Sequence, residues 1–226
     1  MTGRRRHLVT WTDATEVAGA EGSLATLVGA LPPEVRVTVL GCAPHVVQAI
    51  AGARPGADGL LVPRLAQKND VLGIRAVRRA LTRLEPDAVH LNKTDVANLR
   101  YVEGLIRSIG STRVVSVVHH VEQPATAAAR FLARWLATRA AATVAVAPAL
   151  ARQLESILGL PPGRVVAIHN ALPVLDGDRR QPGPGARSDD RLTVGVLARF
   201  VPHKAVDHVV AAAAAVDGVH LLVGGD

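Results

Sequence analysis

The feature that most constrains this chain is an alternation of short Val-rich runs with segments of helical period. Apolar runs occupy residues 7–10, 88–91, 114–118, 143–146, 165–168, 192–197 and 219–223, while Val35, Val37 and Val39 alternate with Glu34, Arg36 and Thr38. Several of these runs are continuous, as in parallel strands covered on both faces. Between them, Leu24, Leu27, Val28 and Leu31 fall at i, i+3, i+4, i+7 and stop at Pro32-Pro33. Ile74, Val77, Leu81 and Leu84 repeat the pattern ahead of Pro86, and Leu150, Leu154, Ile157 and Leu158 do so ahead of Gly159. Strand–helix–strand repetition of this kind predicts an α/β fold with a doubly wound parallel sheet.

A composition shift marks the domain organisation. Residues 176–190 read DGDRRQPGPGARSDD, with Ala186 the sole hydrophobic residue, which predicts a linker. It separates a full domain over 1–175 from a tail over 191–226 that reads strand, loop, helix, strand. One βαβ unit cannot bury both faces of its sheet, so the tail is expected to be the opening of a second domain.

Charge and composition exclude several classes. Hydrophobic residues make up 49% of the chain, enough for a core of small aliphatics. The net charge of +7 invites a nucleic acid, but Trp11, Tyr101, Phe131, Trp135 and Phe200 are scattered singly and form no stacking platform. No nucleic acid partner is expected. Arg75, Arg79 and Arg83 repeat at four-residue spacing opposite an apolar stripe. That is either a solvated face or a contact for anionic lipid headgroups. The lone Cys42 forms no internal disulfide and fits a reducing compartment. The segment after Arg4-Arg5-Arg6 breaks off too soon for a signal peptide, and no apolar run is long enough to span a bilayer. A cytoplasmic protein, at most peripheral at the inner face of a membrane, is expected.

Three places could carry chemistry. The loop expected over 13–22 joins the first strand to its helix at the carboxyl edge, where open sheets bind ligands. Gly19 there permits close backbone approach, and the helix beyond it offers free N–H groups to an anion. His119-His120 follows the strand 114–118 at the same edge, where a histidine can bond a hydroxyl or move a proton. Arg199 and Lys204 flank residues 200–203 between the strand 192–197 and a helix, and would clamp a diphosphate or simply form a solvated pair. No Cys/His set shows metal-ligand spacing.

Taken together, these segments resemble a retaining glycosyltransferase of the GT-B class, family 4 type. Val17-Ala18-Gly19-Ala20-Glu21 resembles that family's GGAE segment, and Val117-Val118-His119 its strand-ending histidine. Residues 165–170, ending in His169-Asn170, resemble its VIxNG strand. Residues 197–204 with Val206-Asp207 resemble GRLxxxKGxD, and Val223-Gly224-Gly225-Asp226 the start of its VGDGP turn.

The resemblance implies Rossmann-like domains acting on a nucleotide-diphosphate sugar as donor substrate, with no cofactor and no metal. It implies that Arg199 and Lys204 hold the donor diphosphate, that Gly19 lets the loop approach phosphate and acceptor, and that His119 contacts the transferred sugar. Glu21, His120 and Asn170 are carried over as acceptor or sugar contacts. The acceptor would be a glycan, a lipid or a small molecule. Ala18 and Ala205 replace glycines of the pattern. The family continues well beyond the VGDGP turn, so the chain is expected to hold an incomplete donor domain and to have little activity alone. Two rivals stand beside this reading. One is a non-catalytic module that binds an acceptor or pairs through the strand at 219–223 as an oligomer. The other is a nucleotide-binding α/β protein of another class, against which the lack of GxGxxG counts.

Overall fold

Among the described residues nine strands and seven helices follow one another, and strand–helix–strand repetition dominates, as the sequence pattern predicts. The computed structural model describes residues 6–65, 69–110, 112–171 and 192–225. In chain order come β1 (His7–Thr12), α1 (Gly19–Ala30), β2 (Arg36–Gly41), α2 (Pro44–Ala51), β3 (Asp58–Leu61), α3 (Val71–Leu84), β4 (Ala88–Lys93) and α4 (Arg100–Ile109). Then follow β5 (Arg113–Val118), α5 (Ala127–Arg139), β6 (Ala142–Ala145), α6 (Pro148–Leu158), β7 (Val165–Ala167), β8 (Leu192–Leu197), α7 (Val206–Ala214) and β9 (Val219–Gly224). Two units, Met1–Val174 and Leu175–Asp226, divide the chain. The linker expected over 176–190 lies outside the described residues.

In the first unit seven parallel strands run in the order β3-β2-β1-β4-β5-β6-β7. The chain winds outward from β1 in one direction and from β4 in the other, so the order reverses between these two neighbours. Their register sets Leu8 beside Ala88 and Thr12 beside Asn92. On one face Leu24, Val28, Val39, Val46 and Ile50 pack α1 and α2 over the β1–β3 half. On the other, Trp11, Val77, Leu81, Leu91 and Ile106 seat α3 and α4, and Val118, Ala145, Leu154 and Val165 join the layer that carries α5 and α6. Burying such side chains on both faces stabilises the sheet by about 1.5–3 kcal/mol per large aliphatic.

Four elements go beyond those expected. β3 is a four-residue edge strand with a glycine and no buried position, too short and too exposed for an alternation signal. The helices α2, α4 and α5 were not among the periodic segments read from the sequence. The loop expected over 13–22 also ends early. α1 already begins at Gly19, because the Glu21 carboxylate accepts the Ala18 N–H at 3.3 Å and closes half of a capping box.

The second unit holds β8 and β9, paired in parallel from Leu192–Val219 to Leu197–Gly224, with α7 between them. At their carboxyl ends the Ala198 N–H donates to the Gly224 carbonyl at 3.0 Å. Gly225 follows with φ +142°, and a Cβ there would lie 1.9 Å from the Ala198 carbonyl oxygen, so only glycine fits this close approach.

Candidate functional site

The order reversal between β1 and β4 leaves a crevice at the carboxyl ends of the strands, the place where open α/β sheets take ligands. Three polar side chains meet there. Thr12 ends β1, Asn92 stands beside it in β4, and His119 is the first residue after β5. Glu21, in the first turn of α1, reaches in from above and is 4% exposed.

The hydrogen bonds fix the chemistry of this group. Glu21 Oε1 accepts from Thr12 Oγ1 at 3.2 Å and from Asn92 Nδ2 at 3.4 Å, and Asn92 Nδ2 also reaches the Ala20 carbonyl at 3.4 Å. With its NH2 group committed to two acceptors, Asn92 presents Oδ1 to His119 Nε2 at 2.8 Å. An amide oxygen can only accept, so His119 carries its proton on Nε2 and keeps Nδ1 as a lone pair. Burial pushes the His119 pKa below the ordinary imidazole value, while the Glu21 charge pulls it back up. The ring is therefore neutral at pH 7 and can accept a hydrogen bond from a hydroxyl.

Beneath this group a cavity of about 370 Å³ opens between α1 and the β4–β6 strands. Its walls are mainly apolar, from Leu27, Val115, Val117 and Val144, and its polar members include His90, Asn92 and His119. His90 is 8% exposed, its Nδ1 has no partner among the described residues, and burial with the nearby His119 pushes its pKa down to about 4.

The other residues expected from sequence occupy distinct positions. Gly19 is exposed at the start of α1, and a Cβ there would meet nothing within 4 Å, so open space stands over it. His120 is exposed, with Nε2 3.8 Å from Glu122. Asn170 accepts from Ser23 Oγ of α1 at 3.0 Å and borders the cavity. Arg199 and Lys204 belong to the second unit, exposed on either side of the segment that enters α7. Lys204 ends a 3-10 turn, Pro202–Lys204, and the next residue, Ala205, takes the left-handed conformation at φ 50°.

Sequence reasoning missed Thr12, His90 and Asn92. The one signal for Asn92 was a polar residue directly after the apolar run 88–91. It also missed Lys93, whose ammonium is buried on the opposite face against Glu103, at 2.5 Å. No group of three His, Cys, Asp or Glu among the described residues could hold a metal ion.

The family model described as Glycosyltransferase Family 4 matches residues 17–174, well over half of the chain and the part that carries Glu21, Asn92 and His119. The chain belongs to glycosyltransferase family 4. No curated protein matches it. Among solved structures, this family 4 chain is similar to HepE of Anabaena in complex with UDP-glucose, with a TM-score of 0.68 at 16% identity, covering 96% of this chain and 60% of HepE. It is also similar to the lipopolysaccharide outer core galactosyltransferase WaaB, with a TM-score of 0.62 at 12% identity and coverage of 96% and 60%. The glycotransferase of kitacinnamycin follows at a TM-score of 0.57 and 15% identity, with coverage of 97% and 66%. At these identities the likeness is one of fold, and the α/β, Rossmann-like GT-B architecture expected from the sequence is what the family 4 chain has. It spans about 60% of the length of the first two of these structures.

Proposed function

We propose that the protein is a glycosyltransferase that moves a sugar from a nucleotide-diphosphate sugar to an acceptor hydroxyl with retention of anomeric configuration. The observation that carries this is the family match over 17–174. In this reading Arg199 and Lys204 hold the donor diphosphate and neutralise the leaving group, Arg by forked hydrogen bonds and Lys as a point charge. They supply the countercharge that a divalent cation would otherwise bring, so turnover proceeds in the presence of a chelator. The Nδ1 lone pair of His119 accepts a hydrogen bond from a hydroxyl of the transferred sugar, and the open space over Gly19 admits phosphate and acceptor to the loop backbone. Attack on the face that phosphate leaves retains configuration without a protein nucleophile.

HepE was crystallised with UDP and with UDP-glucose, which makes uridine the first base to try. Because the chain spans about 60% of that protein, donor binding is the first readout. Titration calorimetry with UDP-glucose, UDP and NAD is expected to give binding to the uridine nucleotides alone, and Arg199→Ala or Lys204→Ala should weaken it at least tenfold, about 1.4 kcal/mol. Equal binding by both variants would remove the clamp from the reading, and binding of NAD alone would replace it with a dinucleotide enzyme. Where turnover is measurable, the anomeric signal of the product in proton NMR tests retention.

A second reading has one observation behind it. Leu222 and Val223 of β9 are 46% and 44% exposed, apolar surface suited to pairing with a partner chain. Light scattering over a concentration series separates that module from a monomeric enzyme.

A further inference from the structure

The outward face of α3 is a charged surface that the candidate site does not use. Inward, Val77 and Leu81 anchor the helix in the core beside Trp11 and Leu91. Outward, Arg75, Arg78, Arg79 and Arg83 are all exposed, and no ion pair holds any of them among the described residues. The helix, VLGIRAVRRALTRL, contains no acidic residue. Its first turn exposes Val71 at 55% and Leu72 at 77%. At its other end the basic stripe stops, because the exposed Glu85 and Asp87 follow the helix and the Asp87 carboxylate accepts the His7 N–H at 2.7 Å. From Arg75 to Arg83 the stripe is roughly 12 Å long at 1.5 Å per helical residue.

Like charges at i, i+3 and i+4 repel one another, and no carboxylate of the helix itself relieves them. The face has no aromatic residue on which a base could stack, and a convex helix offers no groove for a single phosphate. A line of fixed guanidinium groups with an apolar pair at one end complements a planar anionic surface that has an apolar interior.

We propose that α3 docks this domain on an anionic lipid bilayer, with Arg75, Arg78, Arg79 and Arg83 at the headgroup phosphates and Leu72 with Val71 in the headgroup–acyl boundary. α3 connects the parallel strands β3 and β4, so its first turn lies at the carboxyl edge of the sheet, the edge that carries Asn92 and His119. Docking by that tip presents the crevice to molecules held in the bilayer. This holds whether or not the transferase reading does.

The test is sedimentation of the full 226-residue chain with vesicles of phosphatidylcholine alone and of phosphatidylcholine with phosphatidylglycerol in equal parts. Partitioning onto the anionic vesicles should exceed that onto the neutral ones on the order of a hundredfold, and fall about fivefold for each arginine changed to Gln. Leu72→Ser should cost about tenfold. Salt near 1 M, where the Debye length is about 3 Å, should release the protein. The surface substitutions to Gln leave the core untouched, so circular dichroism should be unchanged. No preference for anionic vesicles overturns the proposal. So does full binding by Arg75→Gln/Arg79→Gln/Arg83→Gln, which would hand the contact to Arg4–Arg6. Tighter binding to single-stranded RNA than to vesicles in the same buffer, lost in the same variant, assigns the face to nucleic acid instead.

Discussion

Asn92 Oδ1 stands 2.8 Å from His119 Nε2, across the carboxyl ends of neighbouring strands. The amide is oriented by Ala20 and Glu21, so it sets the tautomer of the imidazole. Asn92→Asp should place a carboxylate at that distance and raise the His119 pKa, shifting the ring toward imidazolium. Asn92→Ala should leave the ring neutral but free to exchange tautomers. Histidine side-chain 1H–15N correlation spectra over a pH series read both outcomes. An unchanged His119 titration in Asn92→Asp would show that the amide does not govern the ring.

Stability should fall as the solution is acidified below the ordinary histidine range. His90 titrates near pH 4 when folded and near 6.5 when unfolded, so between those values the unfolded chain binds more protons. His7 and His119 are lowered in the same direction by burial. The contribution of His90 alone is on the order of 3 kcal/mol, fully lost below pH 4. Urea unfolding at several pH values, compared with His90→Leu, isolates it. The variant should lose less stability on acidification, and an equal pH slope would contradict the assignment.

Lys93 and Glu103 are 3% and 1% exposed, and removing one is not equivalent to removing the other. Burial pushes the Glu103 carboxyl up, but Lys93 and Arg107 more than offset this and hold it low. Without Lys93, Glu103 still accepts from Arg107 at 3.1 Å and Ser116 at 3.2 Å. Without the Glu103 charge, the Lys93 ammonium loses the one partner it has among the described residues. Glu103→Gln should therefore cost about 3–5 kcal/mol and Lys93→Met about 1–2. Denaturant midpoints of the two variants give the order, and the reverse order would refute it.

The second unit offers a backbone test. Ala205 is left-handed at φ 50°, a conformation that costs a side-chain-bearing residue about 1 kcal/mol. Ala205→Gly should slow amide exchange in the first turn of α7. Gly225→Ala should speed exchange at Ala198, because the new methyl drives against its carbonyl. Hydrogen-exchange mass spectrometry on the segment 196–209 resolves both signs.

The architecture was legible because its strands announce themselves. The run 114–118 is apolar at all but Ser116, and the period of α3 gives its C-terminal end and its buried face, although the helix starts three residues ahead of Ile74. The GGAE-like loop and the histidine at 119 were legible as residues, but their relation was not. Thr12 and Asn92 become neighbours only through the pairing of β1 with β4, and a long-range register leaves no local trace in the sequence. The position of Glu21 was similarly hidden. Its spacing suits a surface contact as well as a cap, and only burial makes it a brace. α5 begins Ala127-Ala128-Ala129, small residues that mark a period poorly.

The crevice is built from strand ends. The His119 amide donates to the Lys93 carbonyl at 3.1 Å, so the sheet ladder runs on through the very residues that would meet a substrate. Their spacing is consequently as stiff as the sheet itself. The segment between Thr12 and Gly19 is tied to the same group, with the Ala14 N–H donating to Thr12 Oγ1 at 3.2 Å and the Ala18 N–H to Glu21 at 3.3 Å. Any molecule admitted to the crevice would therefore meet a fixed array rather than one that forms around it.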